Sequence, residues 1–436
     1  MAVGRLRRRQ AGHDAREVTE PAPATPTRER VTGRWAVALA GAVSLAVAMG
    51  IGRFAFTPLL PMMLHDGVID LHAASWLATA NYFGYLAGAL LCTFQPWIWA
   101  RARRLPAISG PWLVRAGLVA TALLTLGMAL PLPASWALLR FAAGVASAVV
   151  FVYTSGWCLA QLARRDSAAL GGVMYTGPGA GIVVSGLFAS GMVQWQWRAA
   201  TGWAIFAVLA FALTAVVWHI FRGGATPQPT PGATAPESAQ GVGHGRAEIG
   251  VLALAYGIAG FGYIVTATFL PVIARAALPG SPWLDMFWPI FGAGVMLGAL
   301  IATRLHIGGD LRRLLAGCYL VQAAGIAIGV WSPSLAGFAI GSLLLGIPFT
   351  AITFFAMQEV RRLRPQLAAS FMGLLTAMYG IGQIVGPPLV ALLLRRSANA
   401  GAGFALALEI AAGTLGFGAV LYLWMMRAYP VQRRPA

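Results

Sequence analysis

Lysine is absent from this 436-residue sequence, and acidic residues number only 13. Charged residues make up 10% of the chain. A soluble domain carries about 25%, so an ordinary water-facing surface is excluded. The three cysteines, Cys92, Cys158 and Cys318, lie singly in apolar stretches with no Cys-x-x-Cys or Cys/His spacing. Neither a disulfide framework nor a metal site is implied, and the three read as small buried hydrophobes. No Walker sequence is present, so ATP does not supply energy. No Ser/His/Asp or metal-ligand grouping points to an enzyme, and no cofactor is implied.

What is present is hydrophobic: 58% of residues, with a mean hydropathy of +0.72. The net charge is +18, carried by 31 arginines. A basic excess of this size can mark nucleic-acid binding. Here the arginines fall between apolar stretches, which is the positive-inside pattern of membrane proteins, and nucleic acid is set aside as a partner.

A spanning helix needs about 20 apolar residues. Twelve such stretches occur, at 35–63, 73–95, 112–130, 134–161, 168–192, 199–221, 249–274, 285–304, 313–331, 334–358, 367–394 and 402–426. The expected class is an all-α membrane protein of 12 transmembrane helices, with the lipid bilayer as its surroundings. Residues 1–34, rich in Arg, Pro and Thr, read as a disordered tail. Arg7-Arg8-Arg9 has no apolar run behind it, so no signal peptide is expected. Residues 222–248, rich in Gly, Pro, Ala, Thr and Ser, read as a flexible linker between six-helix bundles at 35–221 and 249–427, with a short tail at 428–436. With both termini placed in the cytoplasm, twenty-four arginines fall inside and only Arg198, Arg275, Arg395 and Arg396 fall outside. Both termini are therefore expected to be cytoplasmic.

The two halves share a pattern. Gly50-Ile-Gly-Arg-Phe-Ala-Phe-Thr-Pro-Leu-Leu-Pro-Met-Met63 returns as Gly260-Phe-Gly-Tyr-Ile-Val-Thr-Ala-Thr-Phe-Leu-Pro-Val-Ile273 at an offset of 210. The same offset relates Gly84 and Gly88 to Gly294 and Gly298. A duplicated apolar half, giving bundles related by a pseudo-twofold axis, is the sequence signature of a secondary transporter. The copies differ at one telling position, where Arg53 is answered by Tyr263.

Further motifs narrow the class. Arg140-Phe-Ala-Ala-Gly144 in the fourth helix resembles the Arg-x-x-x-Gly pattern of the major facilitator superfamily. Gly177-Pro178-Gly-Ala-Gly181 in the fifth resembles that superfamily's antiporter pattern. The loop after the second helix keeps Arg101, Arg103 and Arg104 but lacks the superfamily's aspartate, whereas the matching loop of the second half has Asp310 with Arg312 and Arg313, where a latch is expected. The first-helix motif resembles the YbfB-type branch. This resemblance, over about residues 35–427, implies alternating access, proton coupling by antiport, and a monomer in a bacterial inner membrane. It also implies that helices 1, 4, 7 and 10 line a central cavity, with Arg53 and Tyr263 facing each other across it.

Arg53 is the first candidate, because a charge in hydrocarbon costs roughly 2.5–3.5 kcal/mol and marks function by default. Either it binds an anionic group of a small substrate, for which its fork suits a carboxylate, or it ties the first helix to neighbouring carbonyls or to Asn81. Arg140 is either a coupling group or a support for helix packing. Glu409, the one acid well inside a span, is expected to face inward and is a candidate proton site. Tyr256, Tyr263 and Thr266 are expected to share one face of helix 7, and Thr376, Tyr379 and Gln383 one face of helix 11; with Tyr175 they either line a substrate site or bond helices together. Gly177, Pro178, Gly386 and Pro387 are expected to kink their helices and serve as hinges. The favoured solute is a small organic anion. The alternatives are export of cationic or neutral drugs, and a membrane sensor without flux.

Overall fold

The computed structural model describes residues 33–101, 108–221, 245–281, 283–305, 310–363 and 368–430. Most of the tails at 1–34 and 428–436 and of the linker at 222–248 lies outside them. Among the described residues every regular element is helical. In hydrocarbon a backbone must bond within its own segment, and helices do so.

Among the described residues, twelve helices are long and apolar enough to cross a membrane. They are α1 (Arg34–His65), α2 (Leu71–Gln95), α3 (Gly110–Gly127), α4 (Pro133–Ala163), α5 (Gly171–Gln194) and α6 (Ala199–Val217), then α7 (Ala247–Ala277), α8 (Leu284–Arg304), α9 (Leu311–Trp331), α10 (Leu335–Leu363), α11 (Phe371–Arg396) and α12 (Ala400–Ala428). The end of the bundle where α6 stops and α7 starts is here the connector side, and the opposite end the far side. Short polar residues start several helices: Asp70 Oδ1 accepts from Ala73 N (2.7 Å), Asp310 from Arg312 N (3.0 Å) and Asn399 from Ala402 N (2.8 Å).

The repeated glycines are where the helices of each half touch. A Cβ on Gly84 of α2 would sit 1.9 Å from the Phe141 carbonyl oxygen of α4, and one on Gly298 of α8 would sit 1.8 Å from that of Ile347 in α10. On Gly50 it would lie 2.3 Å from Gly181 Cα in α5, and on Gly260, 2.2 Å from the Tyr379 oxygen of α11. The offset of 210 is thus a repeat of crossings, in which small residues bring backbones together where lipid offers no hydrophobic drive.

The two bundles meet along α1–α7, α2–α11 and α5–α8. Gly172, Gly179 and Gly186 of α5 lie a heptad apart and face Thr303, Gly292 and Pro289 of α8 in antiparallel order. Gly373 and Gly380 of α11 face Thr93 and Leu86 of α2.

Two helices are interrupted. In α1, residues Ala46–Ile51 form a π-helical turn and regular helix resumes at Phe56. Gly52 N reaches Val47 O (2.9 Å) and Phe54 N reaches Met49 O (3.0 Å), one residue beyond the α-helical partner. Pro58 then offers no N–H, and Phe54 O accepts from Thr57 N instead (3.1 Å). Helix α5 breaks at Thr176, directly before Gly177-Pro178, and Gly177 lies against the Ala42 carbonyl of α1. By contrast α11 stays helical through Gly386-Pro387-Pro388.

Candidate functional site

The interruption of α1 slips its hydrogen bonds, and α4 takes up the carbonyls left behind. Ser147 Oγ donates to Ala48 O (2.7 Å). Arg140 Nη1 donates to Gly52 O (3.3 Å) and Nη2 to Arg53 O (3.1 Å), with the guanidinium over the Phe56 ring. Arg140 is 2% exposed and bonds the broken segment of α1 through both of its Nη groups. Asn81 Nδ2 donates to Arg140 O (2.9 Å), which fastens α2 to α4. Asn81 makes no hydrogen bond to Arg53.

Held this way, Arg53 points across the boundary between the bundles. Its Nη2 donates to Gln383 Oε1 of α11 (2.6 Å), and Gln383 Nε2 in turn donates to Tyr263 Oη of α7. The guanidinium carbon lies 4.1 Å from the ring centre of Tyr85, 5.2 Å from that of Tyr82 and 5.4 Å from that of Phe54. Such contacts stabilise a desolvated cation by about 2 kcal/mol. Arg53 Nε has no partner. Among the described residues, no carboxylate pairs with Arg53 or Arg140. Among the described residues, two buried positive charges therefore stand here without a paired carboxylate.

Aromatic rings surround this point. Tyr379 stacks on Tyr256 (4.8 Å between centroids) and on Tyr263 (5.8 Å), while Phe349 of α10 meets Tyr263 edge-on (4.9 Å). Toward the far side the boundary is closed: Thr57 Oγ1 donates to Ala267 O (2.8 Å), and Tyr82 Oη bonds Thr268 Oγ1 (2.8 Å). Toward the connector side Tyr85, Tyr379, Phe349, Thr353 and Tyr175 are half-buried.

Of the sequence candidates, the structure brings together Arg53, Tyr263, Tyr256, Tyr379 and Gln383. Tyr256 Oη donates to Thr353 Oγ1 (2.9 Å). Tyr175 lies against Phe151. Two expectations are corrected. Thr266 does not share the Tyr263 surface: the packing of α9, α10 and α12 on α7 encloses it in a small cavity, lined also by Leu270, Ile326, Ser342 and Leu408. Glu409 does not face inward; it is exposed, because the inner face of α12 is filled by Ala407, Leu408, Ala411 and Leu415.

Sequence reasoning missed Tyr82, Tyr85, Phe349 and Thr57. Tyr82 and Tyr85 lie three residues apart, which places both on one face of α2, and that spacing was legible. It also undervalued the second charge cluster. Arg312 is fully buried and bonds Asp310 Oδ1 through Nε (2.9 Å) and Glu248 Oε1 through Nη1 (3.1 Å). Glu359 lies 3.6 Å from Arg312 and 3.0 Å from Arg362. Arg313, expected in this latch, is exposed. The cluster ties the connector-side ends of α7, α9, α10 and, through Tyr429 O (2.8 Å), the end of α12.

Residues 45–423 match the family described as the uncharacterised MFS-type transporter YbfB. Among curated proteins none matches the sequence. Among solved structures the chain is similar to the nucleoside transporter NupG (D323A mutant), with a TM-score of 0.67 and 13% identity over 89% of this chain and 99% of that one. It is also similar to the human organic anion transporter MFSD10 (TETRAN), with a TM-score of 0.58 and 15% identity over 89% and 99%. These likenesses show the fold.

Proposed function

Because the chain belongs to the YbfB-type family of major facilitator transporters and is a multi-pass membrane transporter, we propose that it moves a small organic anion across a bacterial inner membrane by alternating access. The observation that carries this reading is Arg53, a buried cation at the meeting of the two bundles with no carboxylate among the described residues to neutralise it. An uncompensated charge in a low dielectric is strongly stabilised by an arriving anion, and guanidinium suits a carboxylate. The connector side is the cytoplasmic side in this reading, and both termini are cytoplasmic, which the arginine distribution supports. The far-side bonds Thr57–Ala267 and Tyr82–Thr268 then describe a carrier closed to the outside. Proton-coupled antiport, with efflux of the anion, is supported by the Gly177-Pro178-Gly-Ala-Gly181 pattern of α5. The protein acts as a monomer.

The test is flux into proteoliposomes. Purified protein is reconstituted and assayed with a panel of radiolabelled organic acids, amino acids and cationic drugs, with Arg53→Ala alongside. Acid-selective flux that disappears in a well-folded Arg53→Ala protein supports the reading. Undiminished flux in that variant would sink it. Acid binding without any flux would instead indicate a sensor.

A further inference from the structure

Gln383 occupies the place a substrate acid would need. Its amide oxygen is an uncharged acceptor set 2.6 Å from Arg53 Nη2, and its amide nitrogen is engaged by Tyr263. The side chain is 1% exposed and spans from one bundle to the other. Pro387, four residues on, has no N–H to give the Gln383 carbonyl, so the α11 backbone is softened at this residue. Arg53 still has an unpartnered Nε, and only one guanidinium is available, since both Arg140 Nη groups are spent on the carbonyls of Gly52 and Arg53.

From this we infer that the Arg53 site takes an aromatic monocarboxylate, and that Gln383 is a neutral stand-in which the substrate carboxylate displaces. The inference rests on the anion reading above and narrows it. One guanidinium has donors to spare and can pair with one carboxylate; a second carboxylate would be buried without hydrogen-bond donors, since those of Arg140 are spent on the carbonyls of Gly52 and Arg53. The half-buried walls next to Arg53 are Tyr85, Tyr379 and Phe349, flat faces that favour a planar ring over an aliphatic one of equal size. A neutral stand-in keeps the empty site closed without cancelling the charge that recruits the substrate.

The experiment is calorimetric titration of the full chain in nanodiscs with benzoate, cyclohexanecarboxylate, phthalate and benzyl alcohol. Benzoate is expected to bind roughly three- to ten-fold tighter than cyclohexanecarboxylate, with phthalate and benzyl alcohol weaker than both. Gln383→Glu, which supplies its own carboxylate to Arg53, is expected to abolish benzoate binding and raise the unfolding temperature, while Gln383→Ala, which removes the competing acceptor, is expected to tighten benzoate binding. Equal affinity for benzoate and cyclohexanecarboxylate overturns the aromatic inference and leaves the anion reading standing. Normal benzoate binding by Gln383→Glu overturns the stand-in role. Failure of every acid to bind folded wild-type protein overturns the anion reading, and this inference with it.

Discussion

Thr57 Oγ1 donates a 2.8 Å hydrogen bond to the carbonyl of Ala267, and these two residues occupy the same position of the repeat, 210 residues apart. Only residues near the pseudo-twofold axis meet their own counterparts, so this bond marks where the axis passes through the boundary. The acceptor is free because Pro271 withholds the N–H that would otherwise close the helix on Ala267 O. Thr57→Val keeps the shape and removes the donor. It is expected to cost about 1 kcal/mol, lowering the unfolding temperature and speeding hydrogen exchange in the Phe54–Leu60 segment, as mass spectrometry would read. Unchanged exchange there would mean that the closure does not depend on this bond.

Arg140 holds two backbone carbonyls of α1, a task that needs its fork. Arg140→Gln and Arg140→Lys are each expected to destabilise the protein, since charge-assisted hydrogen bonds contribute about 1.5–3 kcal/mol. Lysine recovers the charge and cannot reach both oxygens at once. Thermal unfolding in detergent measures the difference. A lysine variant as stable as the wild type would show that charge alone matters at this place.

The seam between α5 and α8 is set by glycine. A Cβ on Gly179 would lie 2.6 Å from the Gly292 carbonyl oxygen, and one on Gly292 would lie 2.8 Å from that of Gly179. Gly179→Val is expected to cost about 1–3 kcal/mol and to reduce flux by more than it reduces folded yield, because the seam lies between the bundles. Comparing initial rates per folded molecule separates the two effects.

Arg312 lies among Glu248, Asp310 and Glu359. Arg312→Ala strands buried carboxylates and is expected to cost about 3–5 kcal/mol, visible as lost folded yield. Glu359→Gln leaves Arg312 paired to Asp310 and Glu248 and is expected to be far milder. Size-exclusion profiles of the two variants check this order.

Glu409 faces outward on α12. Glu409→Leu is therefore expected to leave flux unchanged and to hold or raise stability, since an exposed apolar residue suits hydrocarbon better than a carboxylate. Loss of flux in this variant would restore Glu409 as a coupling group.

The fold was legible because hydropathy, arginine placement and the repeat each act over whole helices. Arg53 was legible because a charge within a span has few reasons to be there. The partner of Arg53 was harder to read. Gln383 lies 330 residues away, and its role depends on how α11 crosses α2 and α7. Glu409 misled for the opposite reason: burial of charge is a tendency, and the inner face of α12 had already been given to small and apolar side chains. Thr266 failed on packing, since the spacing puts it near the face of Tyr263, and only the way α9, α10 and α12 close over α7 encloses it in a separate cavity.

The exchange of arginine for tyrosine between the repeats has a last consequence. With arginine at both 53 and 263, the pocket would present two equal poles and bind a molecule either way round. With Arg53 on one side and Tyr263 on the other, bridged by Gln383, it has a head and a tail. Two halves related by a pseudo-twofold axis thus enclose a site with a cationic pole and a phenolic pole, and an acid held there under the anion proposal would take one orientation.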